Sequence, residues 1–189
     1  LLEFFKGIDM KLLDQVNEKF KHEILDSAMP RITALGNGGI IWIIISLILI
    51  SQKSSEKLGF MVIAALILTT IIGEGAIKHI IKRTRPFVHD LEQKLLIIKP
   101  ITYSFPSGHT SSSFAAAGIL FSMHSRLTLF AFVLAALIAF SRVYLNVHYP
   151  TDVFMGIILG IICSQIVLAA YNSGFVNNFN TLFKQLFNS

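Results

Sequence analysis

Long stretches without a charged side chain decide what this chain can fold into. From Ile32 to Gln52 there are 21 consecutive uncharged residues. At about 1.5 Å per residue, such a helix is roughly 31 Å long, enough to cross the hydrocarbon core of a bilayer. A second run extends from Leu58 to about Lys78 and is interrupted only by Glu74. Others cover about Thr110 to Met123, Leu127 to about Ser141, and Val153 to Tyr171. Charged residues make up 14% of the chain and hydrophobic ones 53%, whereas soluble domains carry about 25% charge. A soluble domain and a disordered polyelectrolyte are both excluded. What remains is an all-α, polytopic membrane bundle of about five transmembrane helices. The third and fourth runs are short by themselves and are expected to extend into their polar neighbours.

The ends have a different pattern. Leu1, Phe5, Ile8, Leu12, Val16, Phe20 and Ile24 recur at three- and four-residue steps among charged residues. This predicts an amphipathic helix, either on the membrane surface or packed on the protein's own core. Phe175, Phe179, Leu182, Phe183 and Leu186 repeat the pattern more weakly. The chain therefore reads as one domain, with an interfacial helix over 1–31, a transmembrane core over 32–173 and an amphipathic tail over 174–189. The first 31 residues hold five basic and six acidic side chains, unlike a cleavable signal peptide. A single cysteine, Cys163, allows neither an intramolecular disulfide nor a thiolate metal site.

Five spans put the two termini on opposite sides of the membrane. Twelve of the sixteen Lys and Arg then fall on one face, in the N-terminal helix, the stretch from Lys78 to His109 and the segment from Arg142 to Asp152. Three polar motifs lie within this surplus. In Lys78-His79-Ile80-Ile81-Lys82-Arg83-Thr84-Arg85-Pro86, Lys78 and Arg85 are two helical turns apart and face one side before Pro86 turns the chain. A compact ammonium beside a planar guanidinium suits phosphoryl oxygens, although snorkelling anchors have the same composition. In Phe105-Pro106-Ser107-Gly108-His109, Ser107 is placed to cap a helix whose free N–H groups favour an anion. Gly108 would let that anion approach the backbone, where it would meet His109. In the stretch from Ser141 to Asp152, Arg142 ends one span, and Asp152 follows His148 by four residues. A carboxylate at that spacing can hold the imidazole Nδ1–H and leave Nε2 as the reactive atom.

Taken in order, Lys-x6-Arg-Pro, Pro-Ser-Gly-His and Ser-Arg-x5-His-x3-Asp resemble the signature of the type 2 phosphatidic acid phosphatase (PAP2) family. Lys78, Arg85, Pro86, Pro106, Ser107, Gly108, His109, Ser141, Arg142, His148 and Asp152 all match. The resemblance implies an all-helical fold shared with vanadium-dependent haloperoxidases, and a phosphatase that needs no metal or other cofactor. It implies that His148 attacks phosphorus to form a phosphohistidine and that Asp152 orients it. His109 would protonate the leaving oxygen and then activate water. Lys78, Arg85, Ser107, Gly108 and Arg142 would bind the phosphate. Many membrane members have six spans, and the five-span form here is similar to small bacterial members. Glu74, outside the signature, reads as an i, i+4 partner of Lys78 or of a residue on another helix.

The expected partner is a lipid phosphate in the bilayer and not nucleic acid. Undecaprenyl pyrophosphate is the leading substrate. Phosphatidylglycerophosphate and phosphatidate are the alternatives, and a lipid transporter or scramblase is the reading from another functional class. The basic count alone would put the motif face in the cytoplasm. The resemblance implies instead a multi-pass protein of the bacterial cytoplasmic (inner) membrane whose active site faces outward, and we follow it.

Overall fold

A computed structural model describes residues 2–88 and 95–174, which are helical apart from their connections. The weak amphipathic pattern of the tail lies outside the described residues. Helix α1 covers Leu2–Phe20 and α2 covers Glu23–Leu35, with His22 capping α2 through Nδ1. The single helix expected over 1–31 is thus two. The stripe containing Ile8, Leu12 and Phe20 is exposed, while the adjacent stripe of Asp9 and Leu13 is buried. Helix α1 therefore docks on the protein through Asp9 and Leu13 and leaves its apolar stripe facing outward.

The first charge-free run is not one straight helix. After α2 the chain passes through Gly36 and a short 3-10 turn, Asn37–Gly39, before α3, Ile40–Ile50. Gly38 and Gly39 have φ of 57° and 70°, values that cost residues with a Cβ and break a right-handed helix. The two helices are bent by 48°. Helix α4 (Glu56–Thr69) continues into a π-helical stretch, Thr70–Ile77, and then α5, Lys78–Ile81. Helix α6 covers Gly108–Ser122, α7 Thr128–Tyr144 and α8 Pro150–Asn172. Among the described residues, two helical stretches, Glu56–Val88 and Pro150–Asn172, are long and apolar enough to cross a membrane, and the bent α2–α3 pair makes a third. Helices α6 and α7 have 15 and 17 residues, short of the roughly 20 of a straight span.

Helix α6 lies at the centre and buries Ala115, Ala116, Ala117 and Ile119 completely. Small residues allow this close packing, as is usual where lipid removes the hydrophobic drive between helices. A Cβ on Gly156 of α8 would lie 2.8 Å from Ser107 O, and one on Gly160 only 2.8 Å from Ala115 N. The α6–α8 contact thus requires glycine at both positions. Trp42 of α3 is fully buried and donates its indole N–H to Ser113 Oγ at 2.9 Å. Large apolar residues point outward instead: Leu47, Phe60, Leu129 and Phe154 are each more than half exposed. This apolar exterior suits contact with lipid.

Candidate active site

The three motifs converge on one cavity of about 900 Å³, whose walls include Lys78, Arg85, Gly108, His109, Arg142 and His148. Local structure explains how each arrives there. The π-helical stretch directs Glu74 and Lys78 into the cavity, and Lys82, in the left-handed conformation (φ 49°), ends that helix so that Arg83 to Pro86 can turn inward. Ser107 precedes α6 with an extended backbone, which aims the first turn of that helix, Gly108 and His109, at the same space. Arg142 sits in the last turn of α7, and His148 in the tight connection to α8.

Lys78 is buried and its Nζ lies 2.7 Å from Glu74 Oε1. This is the i, i+4 pairing expected from the sequence. Arg85 uses every donor it has. Its Nε donates to Thr102 O at 2.7 Å, Nη1 to Val147 O at 2.7 Å, and Nη2 to Thr102 Oγ1 at 3.2 Å and Tyr103 O at 3.1 Å. The remaining Nη1–H faces His148 Nε2 at 3.1 Å. Arg142 is different: Nη1 donates to Thr33 Oγ1 at 2.6 Å, while its buried Nε has no partner among the described residues. An unpaired buried guanidinium N–H is costly, and an anion in the cavity would satisfy it.

The contact between Arg85 and His148 assigns the imidazole. Arginine can only donate, so Nε2 carries the lone pair and Nδ1 the proton. Burial, together with Arg85, Arg142 and Lys78, holds the His148 pKa well below its ordinary value. The ring is therefore a neutral base whose lone pair faces a cationic cavity. Behind it, Nδ1 lies 3.6 Å from Asp152 Oδ2 and has no hydrogen-bond partner among the described residues. The hydrogen bond expected from spacing is thus an electrostatic approach. Asp152 Oδ2 instead accepts the Tyr149 backbone N–H at 2.9 Å, and Oδ1 accepts Arg83 Nη1 at 2.6 Å.

His109 Nε2 is 2.9 Å from Asn37 Oδ1, on the break between α2 and α3. A Cβ on Gly36 would come within 2.7 Å of His109 Cδ2, so the absence of a side chain there makes room for the ring. Ser107 is fully buried and does not belong to the cavity wall. Its hydroxyl accepts from Thr110 Oγ1 at 2.9 Å instead of capping the helix, and its N–H donates to Asp152 O at 3.0 Å. Ser107 thus joins α6 to α8 behind the cavity, as Thr110 competes for the oxygen that would have capped a backbone N–H.

Several partners in this arrangement are not signature residues. Arg83 bridges Asp152 and Asp9, its Nη2 lying 2.6 Å from Asp9 Oδ2, and it stacks over the Tyr149 ring at 4.0 Å. Asp9, fully buried on α1, also accepts the Thr151 backbone N–H at 3.0 Å. Asp9 is one of several acids on α1, and only its position four residues before Leu13, on the buried face, sets it apart. Thr33, Asn37 and Thr102 are of common types and gave no spacing signal.

The PAP2 superfamily pattern matches residues 57–174. The chain belongs to this family. The PAP2 region thus begins in α4 and leaves α1 to α3, with Asp9, Thr33 and Asn37, outside the match. An undecaprenyl-diphosphatase of Sulfolobus acidocaldarius is 32% identical over 121 residues, covering 64% of this chain and 58% of that protein. The chain therefore spans little more than half the length of that relative. Among solved structures, Aquifex aeolicus LpxE superposes with a TM-score of 0.74 at 30% identity, covering 86% of this chain and 95% of that one. A PAP2-type phosphatidylglycerolphosphate phosphatase from Bacillus subtilis has a TM-score of 0.71 at 24% identity, with coverage of 89% and 86%, and shows the same fold.

Proposed function

We propose that this protein is a lipid phosphate phosphatase of the cytoplasmic membrane, acting through a phosphohistidine at His148, with undecaprenyl pyrophosphate as its substrate. The observation that carries this reading is the unprotonated Nε2 of His148 facing a cavity lined by Lys78, Arg85 and Arg142. The Nε2 lone pair attacks phosphorus and forms an N–P bond as the bond to the leaving oxygen breaks. His109, entering the step as imidazolium beside the negative charge of the bound phosphate, gives that oxygen a proton and becomes neutral. A water molecule then loses a proton to His109 and attacks phosphorus, the N–P bond breaks, and His148 returns to its neutral form. Arg142 Nε, Lys78 Nζ and the first-turn N–H groups of α6 stabilise the charge that develops on the phosphoryl oxygens. Asp152, 3.6 Å behind Nδ1, stabilises the positive charge the imidazole acquires.

Undecaprenyl pyrophosphate is favoured by the similarity to a named undecaprenyl-diphosphatase. Phosphatidylglycerophosphate and phosphatidate are the competing substrates, since the motifs read the phosphate and not the lipid. We assign the cavity to the extracytoplasmic face, following the family resemblance. The test is phosphate release by purified protein in detergent with EDTA, on undecaprenyl pyrophosphate, phosphatidylglycerophosphate and phosphatidate side by side. Fastest turnover is expected on the pyrophosphate. Fast hydrolysis of a glycerophospholipid with none of the pyrophosphate would reject that substrate, and lipid flux without phosphate release would favour a transporter.

A further inference from the structure

The loop that carries Thr102 has a second, apolar side. Ile98 is 94% exposed and Ile101 100%. Both also line the rim of the cavity that contains His109, Arg142 and His148. Phosphoryl chemistry has no use for isoleucine, and exposed aliphatic side chains grouped at a rim mark contact with an apolar partner. The next residue, Thr102, accepts Arg85 Nε through its carbonyl at 2.7 Å and Lys78 Nζ through its hydroxyl at 3.3 Å. Ser104 N–H then donates to Arg83 O at 2.9 Å. The segment is therefore fastened to the phosphate-binding cations through Thr102, while the side chains of Ile98 and the adjacent Ile101 stand free.

We propose that the segment from Leu96 to Thr102 is a lip that binds the hydrocarbon chain of the substrate where it leaves the cavity, with Ile98 and Ile101 as the contact residues. This rests on the lipid phosphatase reading. The occupant follows from continuity: a head group held at Arg142 and His148 must lead its chain out across the rim that these isoleucines line. The transmembrane helices already hold the protein in the bilayer, so the lip is not needed as an anchor. Prenyl and acyl chains share the chemistry it recognises.

The double variant Ile98→Ser/Ile101→Ser tests the lip in the full chain. Both side chains are exposed, so the variant should fold with an unchanged Tm. Phosphate release is measured on a long-chain and a five-carbon prenyl pyrophosphate, and on long-chain and short-chain phosphatidate. Loss of two apolar contacts should lower kcat/KM on the long-chain member of a hydrolysed pair about fivefold or more, and leave the short-chain member unchanged. Unchanged long-chain turnover would overturn the lip. An equal fall on both chain lengths would overturn it too, because it would place the effect at Thr102 and the cations. Failure of the unaltered protein to hydrolyse any of the four would reject the phosphatase reading and the lip together.

Discussion

Arg85 and Arg142 have the same charge and different work. All five Arg85 donors are engaged, joining Thr102, Tyr103, Val147 and His148. Arg142 keeps its Nε unpaired. Arg85→Lys removes the fork that makes these contacts, and at about 1.5–3 kcal/mol for each hydrogen bond to a charged group it should lower Tm as well as kcat. Arg142→Lys gives up the single bond to Thr33, so it should lower Tm less than Arg85→Lys does, while weakening competitive inhibition by vanadate about tenfold, read from inhibition constants. A lowered Tm in the Arg142 variant alone would reverse these roles. His148 gives a pH prediction. Its folded pKa lies well below the unfolded value of 6.5, so below pH 6.5 the unfolded chain takes up a proton that the folded one does not. Stability should fall as the pH drops through that range. Replacing His148 with Gln should flatten this dependence, as measured by thermal unfolding in detergent, and ¹⁵N spectra should show the native ring neutral at pH 6.

At the level of elements, α1 is tied to the site although it lies outside the family match. The chain of contacts runs from Asp9 through Arg83 to Asp152, all three largely buried. Removing one member leaves a buried guanidinium half paired, which typically costs about 3–5 kcal/mol. Asp9→Asn should therefore lower Tm and reduce kcat more than it raises KM; a full loss of Tm with unchanged kcat would make α1 a purely structural clamp. The main features of the helices were legible in the sequence because charge-free runs report on lipid directly. Lys78, Arg85, His109, Arg142 and His148 were legible because their types carry chemistry at fixed spacing. The break in the first span was missed, although Gly36-Asn37-Gly38-Gly39 is visible, because a charge count sees only hydropathy and not positive φ. The loop before Ser104 has no periodicity to read. Its position depends on hydrogen bonds to Arg85 and Lys78 that no local pattern encodes.

Among the described residues, large apolar side chains face outward, and the charged residues of the three motifs turn inward toward one cavity, the arrangement lipid demands of its proteins. The orientation of that cavity in the membrane is open to a direct test. Cys163 is fully buried and is the only cysteine, so an Ile101→Cys variant has one accessible thiol. In intact cells or spheroplasts, a membrane-impermeant maleimide should label it; labelling only after lysis would put the site in the cytoplasm. The covalent step at His148 can be observed directly. Brief incubation with a ³²P-labelled lipid phosphate, followed by alkaline quenching, should trap label on the protein in the alkali-stable, acid-labile form of a phosphohistidine. The label should vanish in His148→Ala, and in His109→Ala, which lacks both the acid and the base, it should form more slowly and, once formed, persist longer. Unlabelled native protein turning over normally, or label retained in His148→Ala, would contradict the mechanism.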